Sequence, residues 1–412
     1  MSADERRLAR IAPALRAAAY TDYVYRSDGD GVYAERAFAL FLTRVGVELG
    51  GLVVVGRLDP VPGRWHYRLP DSAEFVALPY YPRLTQPLAA GIGMARSLGR
   101  FWRALGGVDV VWLLGPHPLA FACTALARMR GRRVVLGVRQ DMPRYVARRH
   151  PSSRALRLLA VLLERGFRAL ARTCPVIVVG PELARHYGAA RELLELRVSL
   201  VRERDIAPPR AAEARDYDGS LQLLSVGRLD TEKNPLLLAD VLAELRRRDA
   251  RWRLVVCGEG PLEAALGERL RGLGLDRHAE LRGYLPLDDG LVDLYRQSHA
   301  FLHVSWTEGV PQVLFEAFAA RVPVVATDVG GVAEVVGDAA LVIPPGSASA
   351  AAQALQRVVA DAGLRRRLTE AGAACARRVS LDEEARRVAA FLAGEGIGIS
   401  RQPGLRTSSA GA

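Results

Sequence analysis

Short apolar runs alternate with longer amphipathic stretches along the whole chain. This alternation is typical of repeated strand–helix units that build a parallel sheet. In the first half, strands are predicted at 20–25, 51–57, 74–78, 109–114, 133–138, 175–180 and 197–201. Helices are predicted between most of them, at 32–49, 86–105, 118–130, 151–172 and 181–188.

A polar, proline-containing stretch interrupts the pattern at 202–219, and the alternation then starts again. Such an aperiodic segment is the best candidate for a linker. Strands are predicted after it at 221–226, 252–257, 279–282, 300–304, 322–326 and 340–343. The chain is therefore predicted to hold two doubly wound domains, with these bounds: 1–201, the linker 202–219, 220–380, a helix 381–395 that crosses back to the first domain, and a flexible tail 396–412.

Composition places the chain among globular proteins, since 50% of its 412 residues are hydrophobic and 25% are charged. Disordered and fibrous classes are excluded. The four cysteines form no CxxC pair, which favours reduced core thiols in a cytoplasmic protein. The uncharged run 110–127 is broken by Gly115-Pro116-His117-Pro118, so a strand, a loop and a helix are predicted there rather than a membrane span.

The positive charge is concentrated in the first half. Residues 1–200 hold 30 basic and 16 acidic residues, a balance of +14, whereas 201–412 hold 27 and 29, a balance of −2. Eight arginines fall within 128–149 alone. This excess indicates either a compositional bias or an anionic partner, such as an acidic acceptor or an acidic lipid surface. No nucleic acid is expected as a partner, because no basic motif is interleaved with aromatic residues.

One lysine, Lys233, stands among 56 arginines. It lies with Arg228 in GRLDTEKNP, directly after the strand predicted at 221–226. Ligands of open parallel sheets bind at the carboxyl ends of strands, and two cations there suit a diphosphate. A solvated pair of loop charges is the plainer interpretation.

A second cluster is EGVPQVLFE, residues 308–316, where Pro311 is predicted to open a helix. The N–H groups of Gln312, Val313 and Leu314 would then face an anion. Glu308 and Glu316 would flank that point and accept hydrogen bonds from sugar or ribose hydroxyls. An ordinary amphipathic helix with a surface glutamate is the alternative.

A third feature is the amphipathic stretch 154–172, whose charged residues fall within an arc of about 100° on a helical wheel. The pattern favours a helix packed on the sheet with a narrow charged stripe in solvent. A more exposed version of the same helix would be a basic anchor at a membrane interface.

Several motifs together resemble the retaining glycosyltransferases of family 4, also called glycosyl transferases group 1. The resemblance is strongest from 224 to 343 and rests on SVGRLDTEKNP, CGEGP, LRGYLP, EGVPQVLFE and PVVATDVGGVAEVV, in that order. It implies an α/β GT-B fold, in which two Rossmann-like domains with parallel sheets face each other across a cleft.

The resemblance also implies roles for individual residues. Arg228 and Lys233 would hold the donor diphosphate, Glu308 the donor sugar and Glu316 the ribose, while Tyr284 would meet the base. Gly309, Val310 and Pro311 would line the sugar pocket, with Val313 and Leu314 at the helix start. In the first domain, VVWLLGPHP would bring His117 to the reaction centre, and Gly29 and Gly31 would approach the phosphates. From the residues alone, the favoured interpretation of His117, between two prolines, is a satisfied core or turn residue.

Three positions depart from the family pattern. Arg321 stands where the family usually has Gly, Arg139-Gln140-Asp141 replaces a His-Asp pair, and Val201–Asp205 replaces an interdomain Pro-Asn-Gly-Val-Asp. Two DxD triplets, at 28–30 and 216–218, are interpreted as turns rather than metal ligands.

The sequence therefore predicts a cytoplasmic, metal-independent, retaining glycosyltransferase, in contact with the inner face of the plasma membrane. It would move a sugar from a nucleotide-diphosphate sugar to an acceptor hydroxyl, on an anionic glycan or a lipid-linked acceptor. No cofactor is expected, because the nucleotide sugar is a co-substrate. An epimerase or phosphorylase of the same architecture, and a non-catalytic nucleotide-sugar-binding module, remain as alternatives.

Overall fold

A computed structural model describes residues 15–81, 87–150, 152–197, 199–308 and 311–395. The chain divides into two compact units. The first takes in the described residues up to Val178, Ala189–Leu194 and those from Ala385 onward, and the second takes in Val179–Gly188 and Glu195–Glu384. The predicted tail 396–412 lies outside the described residues.

The described residues form fifteen strands. In chain order they are β1 Ala17–Ser27, β2 Val32–Ala34, β3 Leu52–Leu58, β4 Tyr67–Arg68, β5 Glu74–Leu78, β6 Val110–Gly115, β7 Arg133–Val138, β8 Val176–Val179, β9 Leu193–Leu196, β10 Leu221–Val226, β11 Trp252–Cys257, β12 Ala279–Leu281, β13 Ala300–His303, β14 Val324–Thr327 and β15 Ala340–Ile343.

Fifteen α-helices are described with them. They are α1 Phe38–Leu49, α2 Pro87–Ala104, α3 Pro118–Met129, α4 Met142–Arg149, α5 Arg154–Ala171, α6 Pro181–His186, α7 Arg210–Glu213, α8 Leu237–Arg248, α9 Glu263–Gly272, α10 Val292–Gln297, α11 Gln312–Ala319, α12 Val332–Val336, α13 Ala348–Ala360, α14 Ala362–Arg378 and α15 Leu381–Ala393.

In the first unit, β1 lies at the centre of the sheet, with β3 and β6 parallel to it on either side. The parallel pairing continues from β3 to β5 and from β6 through β7 to β8. Two short strands, β2 and β4, add antiparallel pairs beyond β1. Strand β6 is almost wholly apolar and buried, as expected for a parallel sheet covered on both faces.

The second unit holds a six-stranded parallel sheet in the order β12-β11-β10-β13-β14-β15. The strand order reverses beside β10, so β10 and β13 are adjacent although two strands and three α-helices separate them in the chain. Ligands of open α/β sheets bind at such a switch point, outside the carboxyl ends of the strands. The loops that follow β10 and β13 are therefore the first place to look for chemistry.

The local pattern of apolar residues predicts the bounds of some strands and helices correctly and those of others wrongly. Strands β5, β7, β10, β11 and β15 have their predicted bounds. The strand predicted at 197–201 is wrong: β9 lies at Leu193–Leu196, where alternate leucines are buried. The helix predicted over 32–49 begins only at Phe38, because residues 32–34 pair with β1 as β2. Helix α4 was not predicted.

Arg321, which stands where the related family usually has glycine, adopts a φ of 53° just beyond the end of α11. Left-handed backbone of this kind is the usual reason for glycine after a helix. The side chain is buried, and its Nε donates to the carbonyl oxygen of Ala207 in the predicted linker at 2.7 Å. Arg321 therefore fastens the linker to α11 rather than acting as an exposed cation at a helix end.

All four cysteines are buried and unpaired. Among the helices of the described residues, none is both long enough and apolar enough to cross a membrane.

Candidate functional site

An open cavity lies within the second unit, beside the carboxyl ends of β10 and β13. Three segments form it: the loop after β10, the loop after β13 and the start of α11. Its lining residues are Ser225, Val226, Gly227, Arg228, Leu229, Lys233, Pro235, Leu238, Val256, His303, Val304, Ser305, Pro311, Gln312 and Val313.

Backbone hydrogen bonds fasten the loops around the cavity to one another. The N–H of Gly227 donates to Cys257 and that of Leu229 donates to Glu259, each at 2.9 Å. Gly258 lies so close to the Gly227 carbonyl that a Cβ there would overlap it. The N–H of Trp306 donates to the Glu232 carbonyl at 2.8 Å, which joins the loop after β13 to the loop after β10.

A carboxylate with three hydrogen-bond donors lies at this junction. The Oε1 of Glu308 lies 2.5 Å from Lys233 Nζ, 2.7 Å from Ser305 Oγ and 2.9 Å from His303 Nε2. The Glu308 side chain is 8% exposed and that of Lys233 is 24% exposed. The structure thus brings together the sole lysine and Glu308, 75 residues apart in the chain.

The environment keeps Glu308 ionised. Burial acts to raise its pKa, but the hydrogen bond from His303 and the charge of Lys233 outweigh this effect and lower the pKa to about 2. All three donors meet the same oxygen, Oε1. Among the described residues none is recorded as donating to the other oxygen, Oε2, which can accept a hydrogen bond from a ligand hydroxyl.

Arg228 is the more exposed of the two cations. Its side chain is 69% exposed and lies 2.6 Å from Asp230 and 3.8 Å from Glu232. The carboxylate of Asp230 also accepts from the Lys233 backbone N–H, which closes the single helical turn 231–233. The loop therefore presents two positive groups to the cavity, Arg228 and Lys233, and each is held in place by a carboxylate.

Helix α11 begins at Gln312 rather than at Pro311, because Pro311 has an extended ψ of 120°. The prediction that Pro311 is the first helical residue is wrong by one position. No side chain caps this end, and Pro311, Gln312 and Val313 line the cavity. The N–H of Leu314 already donates to the Pro311 carbonyl at 3.3 Å, and the Leu314 side chain belongs to the core.

Glu316 lies one turn further along α11. The hydroxyl of Tyr295 donates to its Oε2 at 2.9 Å, and burial raises its pKa. Glu316 is not among the described residues that line the cavity, and its ribose role is what the family resemblance implies. That role stays a prediction.

The remaining predicted donor residues are less informative. Tyr284 follows β12 with a side chain about half exposed, and its N–H donates to Glu259 at 3.3 Å. Gly309 and Val310 lie outside the described residues.

In the first unit, His117 follows β6 and caps α3. Its Nδ1 accepts from the Leu119 N–H at 3.2 Å, so its proton is on Nε2, which lies 3.2 Å from Asp22. Asp22 also accepts from the Tyr81 hydroxyl at 2.6 Å and lies 3.3 Å from Arg57. Burial opposes ionisation of Asp22, but His117 and Arg57 hold its pKa below the usual range. His117 is thus a buried, oriented histidine, and its place at a reaction centre stays a prediction.

Gly29 and Gly31 lie in the four-residue turn between β1 and β2. Asp28 organises this turn by accepting from the N–H groups of Asp30 and Gly31, both at 3.0 Å. Asp216 accepts from Asp218 N–H in the same manner. Both DxD triplets therefore act in turns, and among the described residues no cluster of three His, Cys, Asp or Glu side chains is arranged for a metal.

Sequence reasoning missed His303 and Ser305 beside Glu308, and Asp22 and Tyr81 beside His117. The first pair had a signal, because residues two apart at the end of a strand point to the same side. The second pair had none, since Asp22 and Tyr81 meet only through the pairing of β1 with distant strands.

Comparisons with known proteins agree with this geometry. Residues 211–374, which contain the whole cavity, match the family model described as glycosyl transferases group 1. A D-inositol 3-phosphate glycosyltransferase of Streptomyces bingchenggensis is 34% identical over 220 residues, which cover 50% of this chain and 48% of that protein. The chain thus spans about half the length of this curated relative.

Two solved structures show the same fold over nearly the whole chain. Anabaena HepE in complex with UDP has a TM-score of 0.66 at 15% identity, covering 92% of this chain and 100% of that one. Sucrose-phosphate synthase of Thermosynechococcus elongatus has a TM-score of 0.65 at 18% identity, covering 92% and 98%. The predicted fold is confirmed: the chain has the GT-B fold of two Rossmann-like halves, and residues 211–374 match the glycosyl transferases group 1 model.

Proposed function

We propose that the protein is a glycosyltransferase that moves a sugar from a nucleotide-diphosphate sugar to an acceptor hydroxyl. The observation that carries the proposal is the pairing of Lys233 with Glu308 beside a cavity that also presents Arg228 and the uncapped start of α11. Cations and helix N–H groups suit a diphosphate, whereas an ionised carboxylate suits sugar hydroxyls. The diphosphate and the sugar of a nucleotide-sugar donor thus each have binding groups beside the same cavity.

The chemistry follows from the charges. As the anomeric bond breaks, negative charge grows on the leaving diphosphate, and Lys233, Arg228 and the α11 N–H groups stabilise it. Lys233 can turn from Glu308 to the phosphate without leaving the site, because its ammonium group is a compact charge on a flexible stem. Oε2 of Glu308 orients the sugar through its hydroxyls.

The reaction is proposed to be retaining and independent of metal, as in family 4. The retaining course rests on the resemblance of residues 308–316 to that family's motif, and metal independence rests on the two cations already beside the cavity. Product NMR decides the first point, because a retained anomer keeps the donor's coupling constant. Undiminished turnover in EDTA decides the second.

Contact with an acidic membrane is proposed through α5. The prediction that only a narrow charged stripe of this helix meets solvent is wrong, because Leu158, Leu159 and Leu162 are each more than half exposed. Exposed Arg154, Arg157 and Arg165 lie on the same side of the helix, next to the leucines. Exposed leucines beside arginines suit an anionic lipid surface.

Vesicle sedimentation tests the membrane proposal. Replacing Leu158, Leu159 and Leu162 by Ser, or Arg154, Arg157 and Arg165 by Gln, should weaken binding to phosphatidylglycerol vesicles. Unchanged binding by both variants, or equal binding to neutral phosphatidylcholine vesicles, would contradict it.

The function itself is tested by donor turnover. UDP, GDP, ADP and TDP sugars are first compared by thermal shift, since a bound donor raises the melting temperature. With the donor found, Lys233→Ala and Glu308→Gln should each lower sugar transfer by about a hundredfold. Near-normal sugar transfer by both variants would contradict the proposed function. Free epimer, phosphate-dependent sugar phosphate, or donor binding without any turnover would identify one of the alternative functions instead.

A further inference from the structure

Two arginines share one aromatic ring at the carboxyl edge of the first unit's sheet. Tyr23 lies on β1, beyond the point where β1 stops pairing with β6. The guanidinium carbons of Arg36 and Arg139 lie 5.1 and 5.7 Å from the centre of its ring. Arg139 directly follows β7 and Arg36 precedes α1, so three separate elements bring this cluster together.

No described carboxylate neutralises either arginine. Neighbouring arginines do have acidic partners: Arg26 lies 3.0 Å from Asp59, and Arg57 lies 3.3 Å from Asp22. Among the described residues, Arg36 and Arg139 form no ion pair within 4.0 Å, and burial together with the charge of Arg36 lowers the pKa of Arg139. Two like charges on one ring repel each other unless an anion joins them.

The hydrogen bonds of the cluster point to the same need. Nη1 of Arg139 donates to the Tyr23 hydroxyl oxygen, so the hydroxyl's own proton is left to donate elsewhere. Nε of Arg139 is buried and has no hydrogen-bond partner. Stacking of Arg139 on Phe38, at 3.8 Å, explains the plane of the guanidinium group but not its missing counter-charge.

We propose that Arg36, Arg139 and the Tyr23 hydroxyl bind an oxyanion, a phosphate or a carboxylate, carried by the acceptor substrate. Arginine forks and a hydroxyl are suited to such planar or tetrahedral groups. The acceptor role rests on the proposed glycosyltransferase function, whereas the anion site itself does not. Arg36 and Arg139, which contribute to the +14 charge of residues 1–200, would then have a function in ligand binding.

Calorimetric titration of the full chain with inorganic phosphate and with glucuronate, at constant ionic strength, tests the proposal. Arg36→Gln and Arg139→Gln should each weaken binding of the preferred anion by about tenfold, and Tyr23→Phe by less. Arg139→Lys, which keeps the charge, should weaken it less than Arg139→Gln. Arg96→Gln removes an exposed arginine of the same unit and should leave the affinity unchanged. The preferred anion tells a phosphorylated acceptor from a carboxylated one.

The outcomes separate this inference from the proposed function. Absence of any anion binding, or an affinity that falls with Lys233→Ala but not with Arg36→Gln, would overturn the inference, because the anion would then occupy the cavity of the second unit. Arg36 is exposed, so its variant remains informative even if Arg139→Gln does not fold. Nucleotide binding is measured in parallel. If the wild type binds no nucleotide but does bind the anion, the proposed function is contradicted and the anion site is not.

Discussion

The two units carry their positive charge in opposite ways. In the second unit, Lys233 and Arg228 each touch carboxylates, so their positions are set before any ligand arrives. In the first unit, Arg36 and Arg139 share an aromatic ring with no described acidic partner. A paired cation must exchange its carboxylate for the ligand, whereas an unpaired cation gains its first counter-charge from an anion.

The charge distribution of the sequence runs in the same direction. The second half is balanced at −2, and the cations beside its cavity have acidic partners. The first half, at +14, contains Arg36 and Arg139, which have no acidic partner among the described residues. Four tests probe this contrast, beginning with the largest expected effect.

The first concerns the acid stability that Glu308 confers. Its folded pKa, about 2, lies below the ordinary value of 4.5, so its stabilisation is complete above pH 4.5 and is lost as the pH falls toward 2. The free energy of unfolding of the wild type should exceed that of Glu308→Gln by up to about 3 kcal/mol more at pH 6 than at pH 2. Urea titrations at several pH values measure it. Glu370→Gln, an exposed control, should show a difference from the wild type that does not vary with pH.

The second concerns the backbone that positions Glu308. Gly330 has a φ of 58°, and a Cβ there would overlap the carbonyl of Glu308. Gly330→Ala should displace Glu308 and lower turnover by about a hundredfold, near 2.7 kcal/mol. Gly274 has a similar φ of 69° but open space around it, so Gly274→Ala carries the same backbone strain without the overlap. Equal losses in the two variants would show that strain alone matters.

The third concerns the first unit. Asp22→Asn removes the anion that orients His117, and kcat should fall by about tenfold while the donor KM stays unchanged. The pH profile of kcat should also shift, which a purely structural defect would not cause. Asp59→Asn, which breaks the ion pair with Arg26 in the same unit, is the matched control. A loss in both variants would mean that Asp22 only supports the fold.

The sequence predicted the second unit better than the first, for a physical reason. Arg228, Lys233 and Glu308 lie in loops that directly follow strands, so local motifs and the rule for parallel sheets place them at one edge. Asp22, Tyr81 and His117 meet only when β1 pairs with β6 and β3, which no local pattern encodes. Similarly, β2 was missed because its three residues depend on a turn built by Asp28.

Helix α5 shows the same limit. The periodicity predicted the extent of the helix and its charged side. It did not predict that three leucines are exposed and that Glu164 is buried. Which face of an amphipathic helix meets the protein depends on its neighbours, and these include α4, a helix that the sequence did not predict.

The loop of the second unit that contains Lys233 is proposed to bind the donor's diphosphate. Calorimetric titration with the nucleoside diphosphate that binds best among UDP, GDP, ADP and TDP measures this binding. Lys233→Ala should weaken that affinity by about tenfold. Arg269→Ala, which removes an exposed cation paired with Asp240 in the same unit, should leave it within about twofold. An unchanged affinity in Lys233→Ala would show that this loop does not bind the diphosphate.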